Sequence, residues 1–356
     1  MVATRAVSQL IWIPSAGVGH LVSVVEIAKL PVRRDDRLSI TLLVMNPPST
    51  SKSNPFAELL ASVSSSAAMS RICFLELPYE ENPPGASSNA AFLGFMFHVQ
   101  ALQDEGKDLL SEFKGSVNAK LEIPTLINPL LARVFPAFAL NEEPRVWFLD
   151  LARRFRETKG IMINSFKELE PHAVKALLED DKIRSVYPVG PILSLKGRGS
   201  NNSSEILSWL HAQPSSSVVF LCFGSAGSFN DDQVKEIAHG LEKSGNRFLL
   251  SLRRPLSMGM LRAYLEEYEN LAEIEVLAHP SVGGFVTHCG WNSTLESLWF
   301  GVPTAAWPLY AEQQFNAFVM VVEQGMALEV KMDYRKDFGM ETKEVVAADV
   351  IEKAVR

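Results

Sequence analysis

The chain has 356 residues, of which 47% are hydrophobic and 9% aromatic; this is enough apolar material for two ordinary cores and rules out a disordered chain. The formal charge of −7 is spread without long blocks of one sign, so no basic stripe is available for a phosphate backbone and nucleic acid is not expected as a partner. Cys73, Cys222 and Cys289 are far apart and form no C-x-x-C pair, and no run approaches the roughly 20 apolar residues of a membrane span, so the expectation is a cytoplasmic protein without a transmembrane segment or metal site.

Short β-rich runs alternate with helical stretches along the whole chain, the pattern of parallel α/β sheets. "QLIWIP" reads as the first strand, and a Gly-containing loop leads from it into a helix over "LVSVVEIAKL" that Pro31 should end at about Leu30. Strands are expected next at "LSITLLVMN", "RICFLELP" and "GIMINSF", then at "SSVVFLCFG", "RFLLSLR", "GGFVTHC" and "VPTAAWP". Helical pieces fall at "VKALLEDD", "DDQVKEIAHGLEKSG" and "NSTLESLWF". A stretch rich in Pro, Gly, Ser and Asn suggests an N-terminal unit over residues 1–192, a linker over 193–213 and a C-terminal unit over 214–356. Two Rossmann-like domains facing across a cleft are the expected architecture, with ligands at the C-terminal ends of the strands.

Three stretches carry chemistry. In "IPSAGVGHL", His20 stands at a helix start, where the dipole disfavours imidazolium and keeps the ring able to accept a proton; the plainer alternative is a turn followed by a surface histidine. The spacing is not that of a dinucleotide fingerprint. In "VVFLCFGSAGSF", Gly224 and Ser225 form either a strand-end turn or a small-residue loop that lets an anionic oxygen approach the backbone. In "THCGWNSTLES", a strand delivers His288, and a helix from about Asn292 presents Asn292 and Ser293 at its N-terminus, where a diphosphate would be favoured. The structural alternative is a capping box of Ser293 with Glu296. Glu296, one turn on, is placed to accept from ribose hydroxyls, and Glu312 with Gln313 in "WPLYAEQQFNAF" together offer acceptors and donors for sugar hydroxyls.

With those residues identified, "VLAHPSVGGFVTHCGWNSTLESLWFGVPTAAWPLYAEQQFNAF" resembles the donor-binding signature of plant secondary-metabolite UDP-glycosyltransferases of the GT-B fold, supported by "PSAGVGHL" and "VVFLCFGSAGSF". The resemblance covers nearly the whole chain. It implies an inverting transfer from the co-substrate UDP-glucose, with no further cofactor, to a small apolar hydroxyl acceptor of phenolic or flavonoid type. It makes His20 the base, and His288, Asn292, Ser293 and Ser225 the diphosphate site. Glu296 would bind ribose, Trp291, Glu312 and Gln313 would line the sugar, and Ala311 would lie near the acceptor. A monomer is expected.

The chain also departs from that family. Where members carry a Trp-Ala-Pro-Gln segment for uracil, it reads "EEYENLAEIEVLAHP". Between "FLELP" and "AAFLGFMFH" it lacks the strand ending in the Asp that orients the catalytic His, so no catalytic Asp is assigned; Asp104 and Asp108 are poor substitutes, and Ser87 is a weak candidate for contacting the sugar. It stops at "VIEKAVR", where members continue into a helix. An incomplete N-terminal sheet with open edges is therefore expected. The leading reading is an inverting glucosyltransferase; the alternative is a catalytically silent paralogue that binds nucleotide sugar or acceptor, and a NAD-dependent oxidoreductase is a distant third. Phe92, Phe95, Met96, Phe135 and Phe138 either wall an acceptor pocket or, the preferred reading, build the core.

Overall fold

The computed structural model describes residues 8–12, 18–45, 71–77, 89–107, 113, 116, 118–183, 185–193, 201–224, 227–252, 273–335 and 344–356. The N-terminal part opens with strand β1 (Ser8–Trp12), helix α1 (Val18–Arg34), β2 (Leu38–Met45) and β3 (Ile72–Leu77). These three strands form a parallel sheet in the order β1-β2-β3. Val25, Ala28 and Val32 recur at helical spacing on α1 and are fully buried, as are the alternate residues Ile40 and Leu42 of β2.

Pro31 does not end α1, contrary to expectation. The helix continues to Arg34 because the guanidinium of Arg71 bonds the carbonyls of Val32, Asp35 and Leu38, satisfying acceptors at the helix end and just beyond it.

Helix α2 (Ala90–Asp104) is buried on nearly every side from Ala90 to Gln100, the mark of a central helix. A short antiparallel pair follows, β4 (Lys120–Leu121) with β5 (Leu130–Leu131), then α3 (Glu142–Glu157), β6 (Ile161–Ile163), α4 (Pro171–Glu179) and β7 (Val186–Pro188). β6 and β7 pair in parallel with each other as a separate two-stranded sheet. The described N-terminal strands thus lie in separate small sheets.

The second half is a single five-stranded parallel sheet in the order β12-β11-β10-β8-β9. Its strands are β8 (Val218–Cys222), β9 (Arg247–Ser251), β10 (Val282–Thr287), β11 (Thr304–Ala306) and β12 (Ala327–Glu329). The helices are α5 (Asn201–His211), α6 (Asp231–Ser244), α7 (Glu273–Leu277), α8 (Trp291–Phe300), α9 (Gln313–Phe318) and α10 (Ala348–Val355). Most of the expected linker is therefore helix, and Leu210 of α5 lies in one core of this sheet with Val218, Phe220 and Phe285. The opposite face packs Leu221, Phe223 and Trp307 against α6 and α10.

One apolar core runs through both halves. Phe92 and Phe95 of α2 meet Phe315 of α9 with ring centroids 5.4 and 5.3 Å apart. Phe92, Phe95, Met96 and Phe135 are all core residues, as preferred from sequence; the side chain of Phe138 lies outside the described residues.

Candidate active site

The order of the second sheet places a topological switch between β8 and β10. The chain leaves β8 for β9 on one side and returns to β10 on the other, which opens a crevice at the carboxyl ends of these two strands. Thr287 and Cys222 are register partners there, so Gly224 and His288, just beyond the strand ends, come together. A Cβ built on Gly224 would lie 2.5 Å from Nε2 of His288, and one built on Gly290 would lie at the same distance. The imidazole is thus wedged between two glycines and is buried. Only glycine permits that approach.

The turn from strand to helix is made at Cys289, whose φ of 63° is in the left-handed region. That conformation costs a non-glycine residue roughly 1–2 kcal/mol. The Cys289 N–H donates to Oγ1 of Thr287 at 3.2 Å, which holds the turn from the strand side. Helix α8 then starts at Trp291 with Gly290 as its N-cap and no side-chain cap bond. The capping-box alternative is therefore overturned. Asn292 and Ser293 are the second and third helical residues, and the first-turn N–H groups have no capping side chain and form an anion-favouring end.

Around this turn burial raises the carboxyls above their ordinary range. Glu312 is pushed up to about 7 by desolvation. Glu296 is pushed up to about 8, first by desolvation and then by the neighbouring Glu273. The Glu273 carboxyl is raised by burial against the opposing hydrogen bonds from the hydroxyl of Ser293 and the thiol of Cys222. Negative charge beside the helix N-terminus is therefore muted near neutral pH, which suits an anionic ligand. Glu273 was missed in the sequence reading; its signal is an acidic residue set among the apolar residues of "AEIEVL".

Two expected ligand residues are otherwise engaged. The Trp291 indole does not face the crevice: it packs with Leu169 and Leu295, and its Nε1 donates to the Asn164 carbonyl at 2.7 Å. The Ser293 hydroxyl lies beside the Glu273 carboxyl and favours its ionised form against burial. Ala311, with φ of 57°, is a second left-handed residue and precedes Glu312, the N-cap of α9. Gln313 accepts through Oε1 from the N–H groups of Leu309 and Tyr310, at 2.9 and 3.1 Å, closing this loop; what its amide retains for a ligand is the Nε2 donor.

His20 lies in the first turn of α1, at the helix start as expected, but its side chain is outside the described residues, as are Ser225, Ser87 and Asp108. Asp104 is half-exposed and paired with Arg153 at 2.8 Å, remote in role from any base. Among the described residues no cluster of three His, Cys, Asp or Glu side chains could hold a metal, and no helix is long and apolar enough to cross a membrane.

The model of the family described as UDP-glucoronosyl and UDP-glucosyl transferase matches residues 195–355, which contain the crevice residues from Gly224 to Gln313 but not His20. UDP-glucose flavonoid 3-O-glucosyltransferase 6 of Fragaria ananassa is 42% identical, over 99% of this chain and 91% of its own length. That alignment spans 439 positions, more than this chain has residues, so the relative carries internal segments absent here. A transferase of Siraitia grosvenorii solved with UDP superposes with a TM-score of 0.81 at 36% identity, over 98% of this chain and 90% of the other. Medicago truncatula UGT71G1, solved with UDP-glucose, superposes at 0.74 with 34% identity over 98% and 89%. The fold is thus a GT-B scaffold, and the chain is a glycosyltransferase that belongs to the UDP-glucuronosyl and UDP-glucosyl transferase family.

Proposed function

We propose that the protein transfers glucose from UDP-glucose, with inversion, to a hydroxyl of a small phenolic, flavonoid-like acceptor. The observation that carries this reading is the turn at His288–Trp291: a buried imidazole wedged between Gly224 and Gly290 beside a helix N-terminus without a capping side chain. Diphosphate oxygens would be held by the α8 N–H groups and Asn292, with His288 and Ser225 at their side. Glu296, protonated or shared with Glu273, would meet the ribose, and Glu312 and Gln313 the hexose.

In this reading His20 takes the proton from the acceptor hydroxyl while that oxygen attacks the anomeric carbon. The bond from that carbon to the diphosphate oxygen breaks on the opposite face, and its electron pair leaves on UDP. The products are a β-glucoside, UDP and protonated His20. Further support comes from the activities of the relatives, among them UDP-glucose flavonoid 3-O-glucosyltransferase 6 of Fragaria ananassa, and from the UDP-glucose bound in UGT71G1.

The test is incubation of the purified chain with UDP-glucose and a panel of flavonols, with mass detection of an added hexose and assay of released UDP. Glucoside formation that is lost in His20→Ala is the expected result. Measurable UDP binding with neither product nor UDP release would instead favour a silent binding protein.

A further inference from the structure

The left-handed residue Cys289 is held by a relay that begins at Asn89 in the N-terminal half of the chain. Asn89, the N-cap of α2, accepts from the Phe92 N–H through Oδ1 at 2.7 Å and donates through Nδ2 to Oδ1 of Asn316 at 2.8 Å. Asn316, in α9, in turn donates through Nδ2 to the Cys289 carbonyl at 3.0 Å. Both asparagines are fully buried. The amide orientations are mutually fixed: Asn89 must present oxygen to the helix N–H, so its nitrogen faces Asn316, whose own nitrogen must then face Cys289. An apolar side chain at either position would break the chain and leave a buried group unmatched.

We propose that Asn316 is a positioning residue that holds the His288–Gly290 turn in its left-handed form, and that Asn89 makes this turn answer to helix α2 of the N-terminal half. The proposal concerns the geometry of the turn; its consequence for ligand binding rests on the reading of this crevice as the donor site. Asn316 touches no reacting group. Its effect passes through the Cys289 carbonyl to the imidazole of His288 on one side and the first N–H groups of α8 on the other. The N-terminal half thereby contributes to donor binding through a side-chain relay.

The test uses the full chain without ligand and follows amide hydrogen exchange in a peptide covering residues 287–293. Asn316→Leu is expected to speed exchange there by about tenfold or more, with peptides from β9 and α6 changed by less than about twofold. Glycine adopts the left-handed region without penalty, so in a Cys289→Gly background the same substitution should have a clearly smaller effect. Asn89→Ser keeps a capping oxygen but is too short to reach Asn316, and should loosen the same peptide by a few-fold even if Asn316→Leu does not fold. Exchange at 287–293 that is unchanged, or that rises only in step with all other peptides, overturns the proposal. UDP titration by calorimetry separates the two layers. Wild-type binding weakened about tenfold in Asn316→Leu supports both, whereas a local exchange response in a wild-type chain that binds no UDP overturns the functional reading and leaves the positioning role standing.

Discussion

The indole N–H of Trp291 donates to the backbone carbonyl of Asn164 at 2.7 Å, joining the first residue of α8 to the end of β6 across 127 residues of sequence. Asn164 is itself buried, and its side chain pairs with the backbone of Ile192 at 2.8 and 3.3 Å. The seam between halves is thus fastened from the first residue of α8. Trp291→Phe keeps most of the packing and removes the donor, leaving a buried carbonyl unmatched, a loss of about 1–3 kcal/mol. Chemical denaturation should show this as a lower midpoint with an unchanged slope.

Gly290→Ala is the cleaner of the two glycine substitutions, because Gly290 has φ of −61° and alanine there has no conformational cost. Its Cβ would meet His288 Nε2 at 2.5 Å, so the imidazole must move. Overpacking of this kind costs about 1–3 kcal/mol. UDP affinity should fall by roughly an order of magnitude while circular dichroism stays native; tight binding in Gly290→Ala would show that the ring position does not matter.

Glu170 is the anchor of α2. Its two oxygens accept from the N–H groups of Ala90 and Ala91 at 3.0 and 2.9 Å, and the hydroxyl of Ser165 donates to the same carboxyl. Glu170→Ala strands those donors in a buried site, and a destabilisation of about 2–5 kcal/mol is expected, with Glu170→Gln milder because one carbonyl oxygen survives. Thermal melts of the two variants side by side would check the ranking.

The carboxyls of Glu296 and Glu312 stand at about 8 and about 7, above the ordinary value of 4.5. Between 4.5 and those values the folded protein holds protons that the unfolded chain has released, so the stability from these groups is present at low pH and falls as pH rises through that window. Each such proton lowers stability by about 1.4 kcal/mol per pH unit. Glu296→Gln should flatten the decline in melting temperature between pH 5 and 8. A slope equal to wild type would contradict the burial of this carboxyl.

The long apolar runs made the main strands of both sheets legible, because their β-rich composition is bounded by turn residues. β4, β5, β7 and β12 were not, since two or three residues show no period, and none of these lies in a run like those that marked the equally short β6 and β11. Helix α2 hid for the opposite reason: buried all round, "AAFLGFMFH" has no polar face to mark it. The strand-to-helix turn was legible through His288, Asn292 and Ser293, but the start of α8 was placed one residue late, which made Ser293 look like a cap. The fates of Trp291, Asn316 and Glu273 depend on partners as far away as Asn164 and Asn89, and no local spacing reports those.

The core that joins Phe92 and Phe95 to Phe315 has a kinetic consequence. Hinged separation of the halves at this point would expose packed aromatic rings to water, so opening along this seam carries a free-energy cost. The rate at which UDP departs should vary little with solvent viscosity and respond most to substitutions in the loops that border Gly224 and Ala311.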